Sequence, residues 1–295
     1  MTRRLPFVSV IVPTYRRPRQ LAACLEALAS LDYPRQAYEV VVVDDGTPGG
    51  LAAVVDCWRS RMAVTLVVQT NAGPAAARNR GAQQASGEYL AFTDDDCLPS
   101  AQWLTAFAHA FERDPDHLLG GLVVNALPRN PYADASQDLV TYLCGYYDGE
   151  GGRPRLFTSN NMAVRASHFH QLGGFDTTFP RAAGEDRDFC DRWTAAGRSS
   201  RSVNEARVAH AHALKLRGFC WQHFEYGRAA VGYRVARAAR RGERVRLETW
   251  AFYARLLGFP FRRGVSLRSG WCAVLFIVAQ LANAGGFAWQ RLRKT

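Results

Sequence analysis

The sequence predicts an α/β fold in which helices flank a central, mostly parallel sheet. The first observation behind this prediction is an alternation in residues 7–98, where four short apolar runs are separated by segments with apolar residues at helical spacing. The second is that the runs are rich in β-branched side chains and apolar throughout, as expected for strands buried on both faces. The third is that two runs end in acidic clusters, at 44–45 and 94–96, and open parallel sheets bind ligands beyond the carboxyl ends of their strands.

The individual elements follow from local patterns. Strands are predicted at residues 7–12, 38–43, 64–68, 89–93, 118–124 and 158–164. Helices are predicted at residues 18–31, 51–58, 75–85, 99–112, 166–172, 186–196, 218–241 and 247–257. Residues 125–157 are rich in Gly, Pro, Tyr and Asp, which indicates a substrate-facing loop with one short helix near 139–145.

Charge is unevenly distributed along the 295 residues. Residues 201–295 carry 18 basic and 4 acidic side chains, a balance of +14, whereas the other 200 residues sum to −3 and the whole chain to +11. This basic region predicts an anionic partner, which could be a membrane surface, nucleic acid or an acidic substrate. The seven cysteines are scattered and lack metal-binding spacing, which argues against a zinc site and favours a reducing compartment. The segment before Phe7 is too short and too polar for a signal peptide.

A long apolar run occupies residues 271–289, close to the ~20 residues that span a bilayer. Gln280 and Asn283 interrupt it, whereas tryptophans at both ends and basic residues beyond it are typical of interfacial anchoring. Three interpretations stay open: a helix lying on the membrane, a buried helix packed on the protein, and a true span.

The stretch around which the chain is organised is residues 89–96, Tyr-Leu-Ala-Phe-Thr-Asp-Asp-Asp. It predicts a buried strand that ends in three adjacent carboxylates, which repel one another unless a cation lies nearby. Mg²⁺ and Mn²⁺ prefer such carboxylates together with phosphate oxygens. The alternative is a solvated acidic loop that caps the following helix.

Several motifs occur in a fixed order: Pro13-Thr14-Tyr15, Asp44-Asp45-Gly46-Thr47, residues 71–81 (NAGPAAARNRG), Asp94-Asp95-Asp96, Gly184-Glu185-Asp186, and the pair His210 and His212. Together they resemble the family 2 glycosyltransferases with their GT-A fold, over residues 7–213. The resemblance implies a catalytic domain at 1–213, with a nucleotide-sugar half at about 1–98 and an acceptor half at 99–213. Residues 214–295 then form a basic, helical C-terminal region.

For the donor side, the resemblance implies that Asp44 or Asp45 accepts a hydrogen bond from the nucleotide base. Arg78 would reach the diphosphate or the base, and Asp96 would bind the divalent metal, Mn²⁺ or Mg²⁺, with His212 or His210 as a further ligand. The remaining donor-side residues are Pro13, Thr14 and Tyr15 in the first loop, Asp94 beside the ribose or the metal, and Asp95.

For the acceptor side, the resemblance implies that Asp186 is the general base and that Glu185 assists it. It also implies an acceptor pocket that includes Asn160, Asn161 and Gly174, whereas Trp193 is expected in the core. One departure from the family pattern is Arg16, where the family usually has Asn, and it leaves the contacts near the donor open.

The function implied is inverting transfer of a sugar from a nucleotide-diphospho-sugar, with UDP favoured, to a saccharide or lipid-linked acceptor in envelope glycoconjugate synthesis. We expect a cytoplasmic protein, peripheral on the inner face of the plasma membrane and attracted to its anionic surface, with no nucleic-acid partner. The alternatives are a sugar-nucleotidyltransferase on a similar sheet and a non-catalytic basic module that binds membrane or nucleic acid.

Overall fold

The computed structural model describes residues 5–147, 156–179, 183–242 and 248–293. The chain divides into two units, one of residues 1–124 with 157–211 and the other of residues 125–156 with 212–295. The second unit therefore includes residues 125–156, which lie within the predicted catalytic domain 1–213. The assignment of catalytic and C-terminal domains stays a prediction.

The first unit contains an eight-stranded sheet with the order β3-β2-β1-β4-β7-β6-β8-β5. The strands are β1 (Val8–Thr14), β2 (Tyr38–Asp44), β3 (Val64–Val68), β4 (Tyr89–Phe92), β5 (Cys97–Pro99), β6 (Leu118–Asn125), β7 (Met162–Arg165) and β8 (Ser200–His210). The first four pair in parallel, as the alternation of strand and helix predicts. In the other half, β7 pairs antiparallel with β4, β6 with β7 and β5 with β8, so the sheet is mixed.

Ten α-helices accompany the sheet in the described part of the chain. They are α1 (Pro18–Ala29), α2 (Ala52–Asp56), α3 (Pro74–Gln84), α4 (Trp103–Arg113), α5 (Pro131–Tyr146), α6 (Ala166–Gln171), α7 (Glu185–Ala195), α8 (Leu216–Arg241), α9 (Trp250–Gly258) and α10 (Leu267–Leu292). Helices α5, α8, α9 and α10 belong to the second unit.

The core of the first unit lies on both faces of the sheet. Val10 of β1 packs into one apolar cluster and the next residue, Ile11, into the other, because successive side chains of a strand point to opposite faces. This explains why the strands are continuously apolar in the sequence. Trp193 is fully buried in the second cluster, so its predicted place in the core is confirmed.

The prediction for residues 125–157 was wrong in extent, because helix α5 is 16 residues long rather than a short helix near 139–145. The Asn130 side chain caps its first turn by accepting hydrogen bonds from two backbone N–H groups, and Pro131 occupies the first helical position. Ala135, Leu139 and Tyr142 lie on its buried face, at the spacing of four and three residues that is typical of a helix. The many polar residues and glycines of this segment made that spacing hard to recognise in the sequence. Residues 148–155 lie outside the described residues.

Helices α8 and α10 cross at very close range in the second unit. A Cβ atom on Gly227 would lie 1.9 Å from the carbonyl oxygen of Asn283, and one on Gly286 would lie 1.9 Å from that of Phe224. Glycine is therefore required at both positions. Helix α10 contains the apolar run 271–289 and is, among the described helices, the one whose length and composition would allow it to cross a membrane.

Candidate active site

The carboxyl ends of β1, β2 and β4 meet at one edge of the sheet. Thr14 pairs with Asp44 in the β1–β2 register, and Ile11 pairs with Phe92 in the β1–β4 register. The acidic residues that follow β2 and β4 therefore lie on both sides of the loop that follows β1. Parallel register alone produces this convergence, as the sequence predicts.

The two aspartates at the end of β2 have different partners. Asp45 accepts hydrogen bonds from the Gln69 side chain at 2.7 Å and from the backbone N–H groups of residues 72 and 73 at 2.8 and 2.9 Å. Asp44 accepts from the Thr47 N–H through Oδ1, whereas its buried Oδ2 has no hydrogen-bond partner among the described residues. Asp45 thus holds the loop before α3 in place, and Asp44 keeps one acceptor atom available.

The loop after β1 is tied to the aspartates after β4. Thr14 Oγ1 donates to Asp95 at 2.8 Å, and Arg17 Nη1 donates to Asp95 at 3.1 Å and to Asp96 at 3.0 Å. Burial raises the pKa of Asp95 to about 6, although Arg17 and the Thr14 hydroxyl act in the opposite direction. Arg17 is therefore a cation that both carboxylates share.

The first loop also exposes a ring to solvent. Pro13 is buried at the end of β1, whereas Tyr15 is partly exposed and its ring lies 4.9 Å from the Arg16 guanidinium. Arg16 has a φ of +58° and its N–H donates to Thr47 Oγ1 at 2.9 Å. The departure from the family pattern at position 16 thus coincides with an unusual backbone conformation that Thr47 supports.

Asp96 lies beside two histidines. His210 pairs with Cys97 in the β5–β8 register, and its Nε2 lies 3.3 Å from Asp96 Oδ1. His212 is the first residue of the second unit. It follows His210 by only two residues, so the chain itself keeps the two histidines close to each other. Asp96, His210 and His212 each offer a ligand atom, and these atoms lie within 4.8 Å of one another.

Arg78 links the donor edge of the sheet to the start of α7. It is 2% exposed, and it donates to Asp94 at 2.6 Å and to Glu185 at 3.0 Å. Burial alone lowers the pKa of Arg78, but the two carboxylates outweigh burial and raise it. The guanidinium is therefore charged and holds two acidic groups from distant parts of the chain.

Glu185 and Asp186 open helix α7 after Gly184, whose φ of +94° sets the turn. Burial raises the pKa of both carboxyl groups, the neighbouring charges add to this effect, and Arg78 opposes it. Asp186 Oδ1 accepts from the Arg187 N–H at 2.7 Å, and Glu185 Oε2 has no partner among the described residues. A carboxylate with a raised pKa is suited to accept a proton near neutral pH.

The residues predicted for the acceptor pocket have structural partners. Asn161 accepts from Trp103 Nε1 at 2.8 Å and donates to the carbonyls of Leu122 and Ala206, so all its polar atoms are used within the fold. Asn160 accepts from Thr158 at 2.6 Å. These contacts favour a scaffolding role for Asn161, and the acceptor role of both residues stays a prediction.

Gly174 lies in a turn held by two side chains that the sequence did not single out. A Cβ atom on Gly174, whose φ is +69°, would lie 2.5 Å from Asn79 Oδ1. Asn79 exchanges two hydrogen bonds with the Phe175 backbone, and Arg192 donates to the Gly174 carbonyl at 2.6 Å. Gly174 therefore permits close packing on α3, and its acceptor role stays a prediction.

Sequence reasoning missed Arg17, Asn79 and Arg192. Each acts through contacts between residues 18 to 96 positions apart, which no local pattern encodes. The available signals were the Arg17 position in the first loop and the Asn79 position two residues before Gly81 in the motif at 71–81.

Comparison with known proteins places this geometry in a family. The family model described as "Glycosyl transferase family 2" matches residues 9–183, more than half of the chain. Glycosyltransferase AglE of Haloferax volcanii is 32% identical over 212 residues, which cover 71% of this chain and 68% of that protein. Other curated relatives are longer, and the chain spans about half of their length or less.

Solved structures agree on the fold. The mannosyltransferase PcManGT from Pyrobaculum calidifontis, in complex with GDP-Man and Mn²⁺, is 22% identical with a TM-score of 0.61, over 99% of this chain and 80% of that one. S. aureus TarS 1–349 in complex with UDP-GlcNAc is 18% identical with a TM-score of 0.57, over 97% and 91%. These likenesses confirm the predicted GT-A-type fold. With the family match and AglE, they lead to the conclusion that the chain belongs to glycosyl transferase family 2 and is a glycosyltransferase.

Proposed function

We propose that the protein transfers a sugar from a nucleotide-diphospho-sugar to a hydroxyl group of a saccharide or lipid-linked acceptor, with inversion at the anomeric carbon. The observation that carries the proposal is the buried Arg78, which joins Asp94 at the donor edge to Glu185 beside the candidate base. This network links the donor edge of the sheet and the start of α7 in one continuous set of contacts. The GDP-Man and UDP-GlcNAc complexes of the two structural neighbours support a donor of this chemical class.

The donor side follows from the strand ends. The buried, unpartnered Asp44 Oδ2 is available to accept a hydrogen bond from the N–H of a base, and Asp45 keeps the adjoining loop ordered. Uracil offers an imide N–H of this kind, which supports a UDP-sugar. The partly exposed Tyr15 ring supplies a flat apolar surface near the same strand ends. Base recognition therefore depends on the ends of β1 and β2.

The acidic edge suits a divalent metal. Asp96 would hold it, with His210 or His212 supplying nitrogen, and imidazole ligands favour Mn²⁺ over Mg²⁺. When bound, such a metal stabilises negative charge on the diphosphate leaving group. Arg17 already pairs with Asp96, which indicates that this edge accepts positive charge, and the Mn²⁺ in the mannosyltransferase neighbour supports the assignment.

The acceptor side depends on Asp186. Its carboxylate takes the proton of the acceptor hydroxyl while that oxygen forms a bond to the anomeric carbon. The bond from the anomeric carbon to the diphosphate oxygen breaks, and its electron pair leaves with the nucleoside diphosphate. Burial raises the pKa of Asp186, which makes this carboxylate a better proton acceptor than a solvated aspartate.

The place of action is part of the proposal. The +14 charge of residues 201–295 and the apolar helix α10 support a cytoplasmic protein that is peripheral on the inner face of the plasma membrane. A lipid-linked or envelope saccharide acceptor fits this location. The anionic lipid surface is then a partner of the enzyme.

A donor panel tests the reaction. Hydrolysis of UDP-, GDP- and dTDP-sugars is measured with Mn²⁺ or Mg²⁺ for the wild type, Asp96→Asn and Asp186→Asn, with the exposed Asp56→Asn as matched control. We expect metal-dependent release of one nucleoside diphosphate, and a loss of about 10²–10⁴-fold in Asp186→Asn. A parallel reaction with a nucleoside triphosphate and a sugar phosphate tests the alternative, because release of pyrophosphate there would favour a nucleotidyltransferase. No release and no nucleotide binding across the panel would refute the proposal.

A further inference from the structure

Helix α10 exposes an uninterrupted apolar face. Residues 269–290 contain no Asp, Glu, Lys or Arg. The exposed large side chains recur every three or four residues along one side of the helix, at Leu267, Trp271, Val274, Ile277 and Leu281. The exposed Gly285, Ala288 and Leu292 continue this side at the same spacing. The opposite side, with Leu275 and Phe276, is buried in the core of the second unit. A soluble surface helix would carry polar residues where α10 carries this face.

Helix α9 repeats the arrangement. Trp250 is 83% exposed, and Tyr253 and Leu257 are exposed on the same side at a spacing of three and four residues. Phe252 and Leu256 on the other side are buried in the same cluster as Leu275 and Phe276 of α10. Two helices that share one core therefore both turn apolar side chains outward.

Two almost fully exposed aliphatic side chains lie where the segment after α9 joins α10. Val265 is 89% and Leu267 is 97% exposed. Exposed arginines border them, with Arg262 before Val265 and Arg268 directly after Leu267. Side chains of this kind gain nothing from water, but each would be buried on insertion below lipid headgroups.

The charge around this surface is positive. Arg255, Arg262 and Arg291 surround the apolar faces and are exposed. Arg268 is also exposed, but it donates to Asp134 at 2.7 and 2.9 Å, so its charge is balanced within the second unit. Within residues 248–293 the sequence has one acidic residue, Glu248, and its side chain accepts a hydrogen bond from Tyr147. Apolar side chains bordered by arginines complement an anionic bilayer, where acyl chains lie beneath negative headgroups.

The packing of α8 decides how α10 can meet a bilayer. The close crossing of Gly227 with Asn283 and of Gly286 with Phe224 holds α8 along α10. Arg228 of α8 also donates to Gln290 at 3.1 Å, and the Arg234 guanidinium lies 5.7 Å from the Phe287 ring. If α10 crossed the membrane in this arrangement, it would bring the α8 arginines into hydrocarbon, which is strongly unfavourable.

We propose that α9, residues 259–266 and the exposed side of α10 form one docking surface that lies in the plane of an anionic membrane interface. Val265 and Leu267 are its deepest anchors, and Arg255 and Arg262 bind lipid phosphates. This inference rests on the proposed function, because it specifies the surface by which the enzyme binds the membrane. It selects the in-plane helix from the three interpretations of residues 271–289.

The test is co-sedimentation of the full chain with vesicles of phosphatidylcholine alone or with phosphatidylglycerol. We expect the wild type to bind the anionic vesicles with an affinity that falls as salt is added. Arg255→Gln and Arg262→Gln should each lower this affinity by about fivefold. The double variant Val265→Ser/Leu267→Ser should bind at least about tenfold more weakly. Val68→Ser, an exposed valine of β3 in the first unit, is the matched control and should bind normally.

Three results would overturn the inference. The first is equal binding of the wild type and the double variant. The second is stronger tryptophan quenching by lipids labelled at the chain ends than by lipids labelled near the headgroup, which would indicate a span. The third is a lipid-free dimer that the double variant dissociates, which would assign the surface to a second copy. Donor hydrolysis in solution is measured in parallel, so a vesicle-binding protein without donor turnover would refute the proposed function and leave the docking surface intact.

Discussion

Arg78 offers the sharpest test of the candidate site, because one buried side chain neutralises carboxylates from two parts of the chain. The change Arg78→Met keeps much of the side-chain volume and removes the charge. It leaves Asp94 and Glu185 without the cation that they contact at 2.6 and 3.0 Å. Asp186, the neighbour of Glu185, also loses a stabilising charge.

The magnitude follows from the burial of the pair. Arg78 and Glu185 are each 3% exposed at the side chain, so water cannot replace the lost partner. Removing one member of a buried ion pair costs about 3–5 kcal/mol of unfolding free energy. For a unit of this size, such a loss lowers the melting temperature by roughly 6–20 °C.

The loss should also depend on pH. Burial raises the pKa of Glu185, so this carboxyl stabilises the fold below its unfolded pKa, and the contribution disappears as the pH rises through the folded value. Without Arg78 the pKa rises further. Arg78→Met should therefore be destabilised more at about pH 8 than at about pH 5.

The assay is thermal unfolding followed by circular dichroism, with donor binding measured on the same samples. Arg78→Lys keeps the charge and should lose less stability, and Arg80→Met, an exposed arginine of the same helix, should behave as the wild type. Adding Glu185→Gln to Arg78→Met should recover at least about 1 kcal/mol, because one uncompensated charge is removed. A change below about 1 kcal/mol, or one that is the same at both pH values, would refute the buried network.

Three further predictions concern the base, the acidic edge and the helix crossing. Because burial raises the pKa of Asp186, transfer should rise with pH through an acid limb above the ordinary range for aspartate, and a rate that stays constant down to about pH 4.5 would contradict this role. Arg17→Gln removes the cation shared by Asp95 and Asp96, so the metal-free protein should melt lower while calorimetry shows tighter Mn²⁺ binding; weaker Mn²⁺ binding would show instead that Arg17 supports the bound state. Gly227→Ala places a methyl group against the α10 backbone and should lower stability by more than about 1 kcal/mol in chemical denaturation, whereas an unchanged midpoint would mean that α8 and α10 can separate freely.

Local pattern determined much of the fold. Four apolar runs with helices between them favour a parallel arrangement, because each helix can serve as the crossover that parallel strands need. The structure has β1 to β4 in that arrangement. The helix at 131–146 was predicted too short because its buried face, Ala135, Leu139 and Tyr142, is flanked by Tyr, Gly and Asp that obscure the period. The local sequence pattern cannot show which polar residues will be buried by an element that is distant in the sequence.

By itself, the sequence determined the identity and order of the acidic strand ends, because Asp44, Asp45 and Asp94 to Asp96 directly follow apolar strands and parallel register brings such ends together. Only the tertiary structure decided how those charges are balanced. Arg17 pairs with Asp96 79 positions away, and Arg78 reaches Glu185 across 107 positions. The physical reason is that a strand end is fixed by its neighbours in the sheet, whereas the partner of a buried charge depends on which distant side chains the completed fold carries within hydrogen-bond distance.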